Sequence, residues 1–279
     1  VIRTTLASPA ELAANPAWRV FDCRHDLASP ALGEQLYAQG HIPGALFAHL
    51  DRDLSAPKSS ANGRHPLPRP EALALWLGRC GLRPGEQVVA YDAGNGTMAA
   101  RLWWTLRWLG HEAAAVLDGG LAAWIAEGRP VTAELPVVAA TRYPIALQPG
   151  RAVDAAYLER HLGSRELLLL DARTAARYRG ETEPIDPVAG RIPGAANRFC
   201  GENLAPDGRF KPAVALREEF EVLLGARAPE EVVHYCGSGV AACHNALAME
   251  IAGFGGSRVY VGSWSEWLAD PRRPRASGA

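Results

Sequence analysis

Short apolar runs recur along this chain, and each is followed by a longer stretch whose apolar residues fall three and four apart. The run 88–91 gives way to a helical pattern over 99–109, the run 115–117 to a second over 121–126. Strands alternating with helices predict an α/β fold, with parallel sheets flanked by helices on both faces. One run is more telling than the rest: Val232-Val-His-Tyr-Cys-Gly-Ser-Gly-Val-Ala-Ala-Cys243. Val232 and Val233 are β-branched and suit a buried strand. Gly237 and Gly239 let the backbone curl. From about Ala241 the pattern is helical, and Gly253 supplies a stop. Cys236 is therefore expected at the carboxyl end of a strand, facing a helix N-terminus. Backbone N–H groups and the positive end of the helix dipole favour an anion there, and the thiolate is the nucleophilic form of cysteine.

The pattern occurs twice. Val-Phe-Asp-Cys-Arg near residue 20 matches Leu-Leu-Asp-Ala-Arg near residue 170, and His41-Ile-Pro-Gly-Ala45 matches Arg191-Ile-Pro-Gly-Ala195. The run beginning at Val88 matches that beginning at Val232. Asp118-Gly-Gly-Leu-Ala-Ala-Trp124 matches Val261-Gly-Ser-Trp-Ser-Glu-Trp267. Four blocks in one order predict a duplicated domain: residues 1–135, a proline-bearing linker over 136–150 (Pro136, Pro144, Pro149), and residues 151–279. Asp92 stands at the Cys236 position of the first half, so that half is expected to be catalytically silent.

Composition narrows the possibilities. Of 279 residues 48% are apolar, enough for two cores, and 29 basic residues balance 30 acidic ones. No bulk charge points to nucleic acid or an anionic membrane. No apolar run is long enough to span a bilayer and no secretory signal opens the chain, although Val1 in place of Met leaves room for a segment removed upstream. Five cysteines (Cys23, Cys80, Cys200, Cys236 and Cys243) without a CxxC pair fit a reducing, cytoplasmic setting and no structural metal. Cys243 is expected to pack in the core, and Cys23, Cys80 and Cys200 to pack or to lie at the surface. A phosphatase would need an arginine after the cysteine loop, where Ala241 and Ala242 stand. No Gly-x-Ser-x-Gly elbow and no P-loop lysine is present.

The duplicated plan, the IPGA blocks, the strand-Cys-loop-helix and the closing Gly-Ser-Trp resemble tandem-domain sulfurtransferases of the rhodanese family, from about Val20 to Trp267. Cys236-Gly-Ser-Gly-Val-Ala241 is similar to the CGSGVT loop of the 3-mercaptopyruvate branch; the thiosulfate branch more often carries CRKGVT. The resemblance implies two rhodanese-like domains and no cofactor. It implies a small-molecule donor (3-mercaptopyruvate or thiosulfate), a persulfide on Cys236, and an acceptor such as thioredoxin, glutathione or cyanide. It implies that Gly237, Gly239, Val240 and Ala241 line the substrate loop, that Arg177 binds the donor carboxylate, and that Asp51, His65 and Ser238 form a relay contributed partly by the silent half, with Asp53 a rival for Asp51. Three positions depart from the family: Ile185 and Asp186 stand where a second arginine follows Glu183-Pro184, Ala241 replaces a threonine, and Arg191 replaces a histidine. Arg179 or Arg191 is expected to stand in for the missing arginine. The competing reading is a sulfur carrier or regulatory module without turnover.

Overall fold

A computed structural model describes residues 2–278. The chain divides into two compact units: Val1–Ala56, Pro68–Gln148 and Pro206–Phe210 form the first, and Pro57–Leu67, Pro149–Ala205 and Lys211–Ala279 the second.

In the first unit, β1 (Leu6–Ala7), β2 (Arg19–Asp22), β3 (Leu46–Phe47), β4 (Val88–Tyr91) and β5 (Ala114–Leu117) make one sheet of order β1-β5-β4-β2-β3. In the second, β6 (Ala152–Val153), β7 (Leu168–Asp171), β8 (Ala196–Asn197), β9 (Val232–Tyr235) and β10 (Arg258–Tyr260) repeat it as β6-β10-β9-β7-β8. Every strand pair is parallel. β4 and β9 lie mid-sheet and are buried throughout, so their sequences are continuously apolar or nearly so rather than alternating. None of the helices is long and apolar enough to cross a membrane among the described residues.

The repeated blocks are scaffold. Asp22 and Asp171 each end a strand and pair with a buried arginine two residues on, Arg24 at 2.6 Å and Arg173 at 2.7 Å. Each arginine also donates to a carbonyl just before the Ile-Pro-Gly turn, Gly40 at 2.7 Å and Gly190 at 2.6 Å. The Tyr91 and Tyr235 hydroxyls accept from the amides of Ile42 and Ile192 at 3.1 and 3.2 Å. Asp-x-Arg and Ile-Pro-Gly-Ala thus recur because one buried ion pair and one tyrosine pin the same turn in each sheet. Removing one member of such a pair leaves an uncompensated buried charge, at a cost of about 3–5 kcal/mol.

Of the stretch 136–150 expected as a linker, residues 136–148 carry no strand or helix but are strapped to the first unit, whereas Pro149 opens a 3-10 turn, Pro149–Arg151, of the second. Thr141 N–H donates to Gly78 at 2.8 Å, Ala146 to Leu109 at 3.1 Å and Gln148 to Trp108 at 2.8 Å. Its prolines prevent regular structure but leave enough amides to dock it. The stretch 57–67, which precedes the middle of the first sheet in sequence, packs with the second unit.

Candidate functional site

Cys236 follows the last residue of β9, and the helix Ala241–Ile251 begins five residues later. The intervening loop folds around the sulfur. Gly239 N–H donates to Cys236 Sγ at 3.1 Å, and the side chain is nearly enclosed, with 3% of the residue exposed. Three further contacts fix its backbone. Cys236 N–H donates to Ser263 Oγ at 3.0 Å, Trp264 N–H donates to the Cys236 carbonyl at 2.9 Å, and Ser265 N–H to the Gly237 carbonyl at 3.0 Å. The Gly-Ser-Trp block thus serves as the floor of the cysteine loop.

The two loop glycines do different things. Gly239 has φ 78°, and a Cβ there would lie 2.2 Å from the Val261 carbonyl oxygen, so only glycine fits. Gly237 needs no special torsion. Its missing side chain makes room for two guanidinium groups: a Cβ would meet Arg64 Nη2 at 2.6 Å and Arg177 Nη2 at 3.5 Å. Val240 is buried, and Ala241 opens the helix half-buried. Cys243 sits in the first helical turn, fully buried, its thiol donating to the Gly239 carbonyl at 3.1 Å. It packs as expected, yet on the loop itself. Burial pushes Cys80 up to about 12 and raises Cys23. Burial, with the neighbouring Cys236 sulfur adding to it, pushes Cys200 up to about 12. Those three thiols are poor nucleophiles.

Ser238 and His65 meet: His65 Nδ1 lies 2.7 Å from Ser238 Oγ, both residues buried. His65 reaches the second unit because its segment, 57–67, packs there. Asp51 belongs to the first unit, where its amide donates to His49 Nδ1 at 3.1 Å and its carboxylate lies 4.0 Å from His25 Nε2. Asp53, its rival, accepts from the His49 amide at 2.9 Å in that same unit.

Arg177 points toward the loop and is held from behind by two acids, Glu183 Oε1 at 2.6 Å and Asp186 Oδ2 at 3.1 Å. Burial works to raise Glu183, but hydrogen bonds from Arg177 and from the Asp186 amide outweigh it and its carboxyl ends below the ordinary range. Burial raises Asp186 in spite of its arginines. Neither expected substitute for the missing arginine is seen at the loop. Arg179 pairs with Glu181 at 2.6 Å. Arg191 donates to Gly278 at 2.6 Å and stacks on Tyr178. The cation that does lie at the loop is Arg64, ion-paired with Asp186. Its only signal in the sequence is adjacency to His65, in a loop more than 170 residues from Cys236.

The first unit supplies a comparison built from the same parts. Asp92, at the Cys236 position, turns its carboxylate into its own loop. Gly94 and Gly96 N–H donate to Oδ1 at 3.0 Å each, and Met98 and Ala99 N–H to Oδ2 at 2.9 and 3.3 Å. Burial pushes this carboxyl up while the four amides pull against that. Both oxygens act only as acceptors, which is the pattern of the charged form. A strand-loop-helix of this design collects amide donors around the first residue after the strand.

The fold and loop together define a duplicated α/β protein with a cysteine at the end of the central strand in one half and an aspartate in the other. A profile for the Rhodanese-like domain matches residues 7–127 and again 154–270. A Pseudomonas aeruginosa protein described as a probable 3-mercaptopyruvate sulfurtransferase is 51% identical over 274 residues, covering 94% of this chain and 93% of its own. The human 3-mercaptopyruvate sulfurtransferase is 34% identical over 253 residues, 87% of this chain and 83% of its own. Among solved structures, 3-mercaptopyruvate sulfurtransferase from Leishmania major superposes with a TM-score of 0.84 at 29% identity, covering 97% of this chain and 75% of that one. The chain belongs to the rhodanese-like family, as a tandem-domain sulfurtransferase.

Proposed function

We propose that this protein moves a sulfane sulfur from 3-mercaptopyruvate, with thiosulfate as second donor, through a persulfide on Cys236 to a thiol or cyanide acceptor. The observation that carries the reading is the cysteine loop: a sulfur at the carboxyl end of β9 that accepts an amide hydrogen from Gly239 at 3.1 Å. The silent half supports it, since the same loop design there gathers four amides around a carboxylate. Pre-aimed amides stabilise charge on the reacting atom without reorganising.

In the first step the Cys236 thiolate attacks the donor sulfur. The carbon–sulfur bond breaks, its electron pair goes to the carbon fragment as pyruvate enolate, and a proton delivered to the enolate gives pyruvate. Cys236 keeps the sulfur as a persulfide anion. In the second step an acceptor thiolate or cyanide takes the outer sulfur and the Cys236 thiolate returns. Ser238, bonded to His65 at 2.7 Å, is placed to pass the proton. The neutral Gly237-Ser238 pair and the carboxylate-binding Arg177 suit a keto acid better than dianionic thiosulfate. The work of Gly237, Gly239, Val240 and Ala241 is to shape the loop. Thioredoxin or glutathione is the thiol acceptor, in the cytoplasm. Residues 1–135 are the silent domain and 151–279 the catalytic one.

Incubation with 3-mercaptopyruvate is expected to add about 32 Da to the peptide holding Cys236. Cys236→Ser is expected to abolish both loading and turnover with an unchanged circular dichroism spectrum. Turnover retained by that variant removes Cys236 as the nucleophile. Loading without turnover of either donor favours the sulfur-carrier reading.

A further inference from the structure

The amide that reaches the Cys236 sulfur belongs to a glycine, the residue type whose two peptide planes swing most freely. Gly239 N–H donates to Cys236 Sγ at 3.1 Å, and the Val261 carbonyl, 2.2 Å from where a Cβ would sit, bars any other residue at that place. The loop therefore cannot gain stiffness from a side chain at position 239. It gains it from the helix below. The Cys243 thiol donates to the Gly239 carbonyl at 3.1 Å. Cys243 is fully buried in the first turn of the helix Ala241–Ile251, and its own amide donates to the Val240 carbonyl at 3.0 Å. The side chain thus makes a local bond to the carbonyl four residues back, of the kind small polar side chains make at helix starts. One face of Gly239 is tied to the reacting sulfur and the other to a sulfur anchored on a packed helix. The first half has no such bridge. With Val88 matched to Val232, Asn95 stands at the Gly239 position and Ala99 at the Cys243 position. Alanine has no side-chain donor, and the Ala99 amide turns to Asp92 at 3.3 Å.

We propose that Cys243 is a positioning residue for the reaction: its thiol fixes the Gly239 carbonyl and so keeps the Gly239 amide aimed at the Cys236 sulfur. The proposal deepens the function given above and rests on it for what that sulfur does. Cys243 touches no reacting atom and acts through the glycine between the two sulfurs. A hydrogen bond to a charged acceptor is about twice as strong as one to a neutral acceptor, so the alignment of this amide matters most when Cys236 is ionised. An apolar side chain in place of the thiol would fill the space and leave the glycine free to turn. A serine would keep a donor at the same position on a shorter bond. The other groups around the loop are untouched by a change at 243: Arg64 and Arg177 beside Gly237, His65 on Ser238, Ser263 beneath the Cys236 amide, and Cys200, whose sulfur neighbours that of Cys236.

The test reads ionisation of Cys236 apart from sulfur transfer. The full chain and its Cys243→Ala, Cys243→Val and Cys243→Ser variants are treated with iodoacetamide, and modification of the peptide holding Cys236 is followed by mass spectrometry. Rates are compared at about pH 7 and at about pH 10, above the ordinary thiol range. Cys243→Ala and Cys243→Val disturb the packing in opposite senses and share only the loss of the donor. Both are expected to slow alkylation at the lower pH by about 3- to 10-fold, the value of one weakened hydrogen bond, with the rate at the higher pH changed less than about 2-fold. In the same two variants kcat for 3-mercaptopyruvate is expected to fall by a similar factor while KM holds. Cys243→Ser is expected to recover most of the loss. Alanine and valine variants that match the wild type at both pH values overturn the proposal. So does an equal fall at both, which would report lost access or a disturbed fold, and so does a serine variant as slow as alanine, which would assign the effect to the bulk of the sulfur. A wild-type chain whose Cys236 depends on Cys243 in this way yet never loads sulfur would leave the bridge standing and remove the sulfurtransfer reading instead.

Discussion

Ser263 is the one non-glycine residue with a positive φ among the described residues, at 55°. The matching position of the first half, Gly120, has nearly the same torsion, 56°, without the penalty. Serine is tolerated because its hydroxyl accepts the Cys236 N–H at 3.0 Å and donates to the Tyr260 carbonyl at 2.9 Å. The strained torsion thus sits directly beneath the Cys236 backbone. Ser263→Ala keeps the strain and orphans a buried amide, and is expected to cost about 2–3 kcal/mol. Ser263→Gly relieves the torsion and should be the more stable of the two by about 1 kcal/mol, as urea unfolding will show; an alanine variant equal to wild type would refute the role. Within the loop, Ser238→Ala is expected to reduce kcat with 3-mercaptopyruvate by about 10²-fold or more and to spare thiosulfate turnover, because only the keto acid leaves as an enolate needing a proton. An equal loss with both donors would take Ser238 out of the proton path.

At the scale of the element, β9 carries an instructive histidine. His234 is fully buried, its Nε2 lies 3.2 Å from Met249 Sδ, and its Nδ1 finds no hydrogen-bond partner among the described residues. Burial pushes its imidazole down to about 3. The folded value lies below the ordinary 6.5 of the unfolded chain, so the unfolded state takes up the proton first as pH falls. This contribution to stability is whole above about pH 6.5 and is lost progressively below it, by about 2 kcal/mol at pH 5. His234→Leu is therefore expected to flatten the fall in urea midpoint between pH 7.5 and 5; the same fall in both proteins would show that another group governs it. The strand-loop-helix around this residue was legible in the sequence. The strand Val88–Tyr91 matches the sequence pattern to the residue and the helix begins at Ala241, about where the pattern turns helical, because mid-sheet strands are uniformly apolar and glycines mark the turns. The linker over 136–150 was read from its prolines, which forbid regular structure but say nothing about docking. Arg64 was not legible at all. Its place beside the cysteine loop depends on where an irregular segment packs, and periodicity carries no information about that.

At the scale of the molecule, the two halves share one plan and carry different residues after the central strand, Asp92 in the first and Cys236 in the second. Both sheets have the same strand order; the first loop gathers four amides around Asp92, and in the second the Gly239 amide donates to Cys236 Sγ. Asp92 therefore does for its own loop what a bound anion would do. Asp92→Ala leaves four amides without their acceptor and is expected to lower stability by about 2–4 kcal/mol, while the fraction of folded molecules that load sulfur on Cys236 stays as in wild type. A loss of loading out of proportion to unfolding, followed by mass spectrometry and circular dichroism in parallel, would show that the Asp92 loop of the first unit takes part in the chemistry.

The exchange of short segments has a consequence for heredity. Residues 57–67, encoded with the first copy, are counted among the second unit, and residues 206–210, encoded with the second, are counted among the first. A gene cut at the boundary of the ancestral repeat would yield a back half without Arg64 and His65 and a front half without Phe210, whose amide caps Asp118 at 2.9 Å. Each copy thus borrows a segment encoded with the other, and neither repeat, cut at its own ends, carries all the side chains that these contacts use.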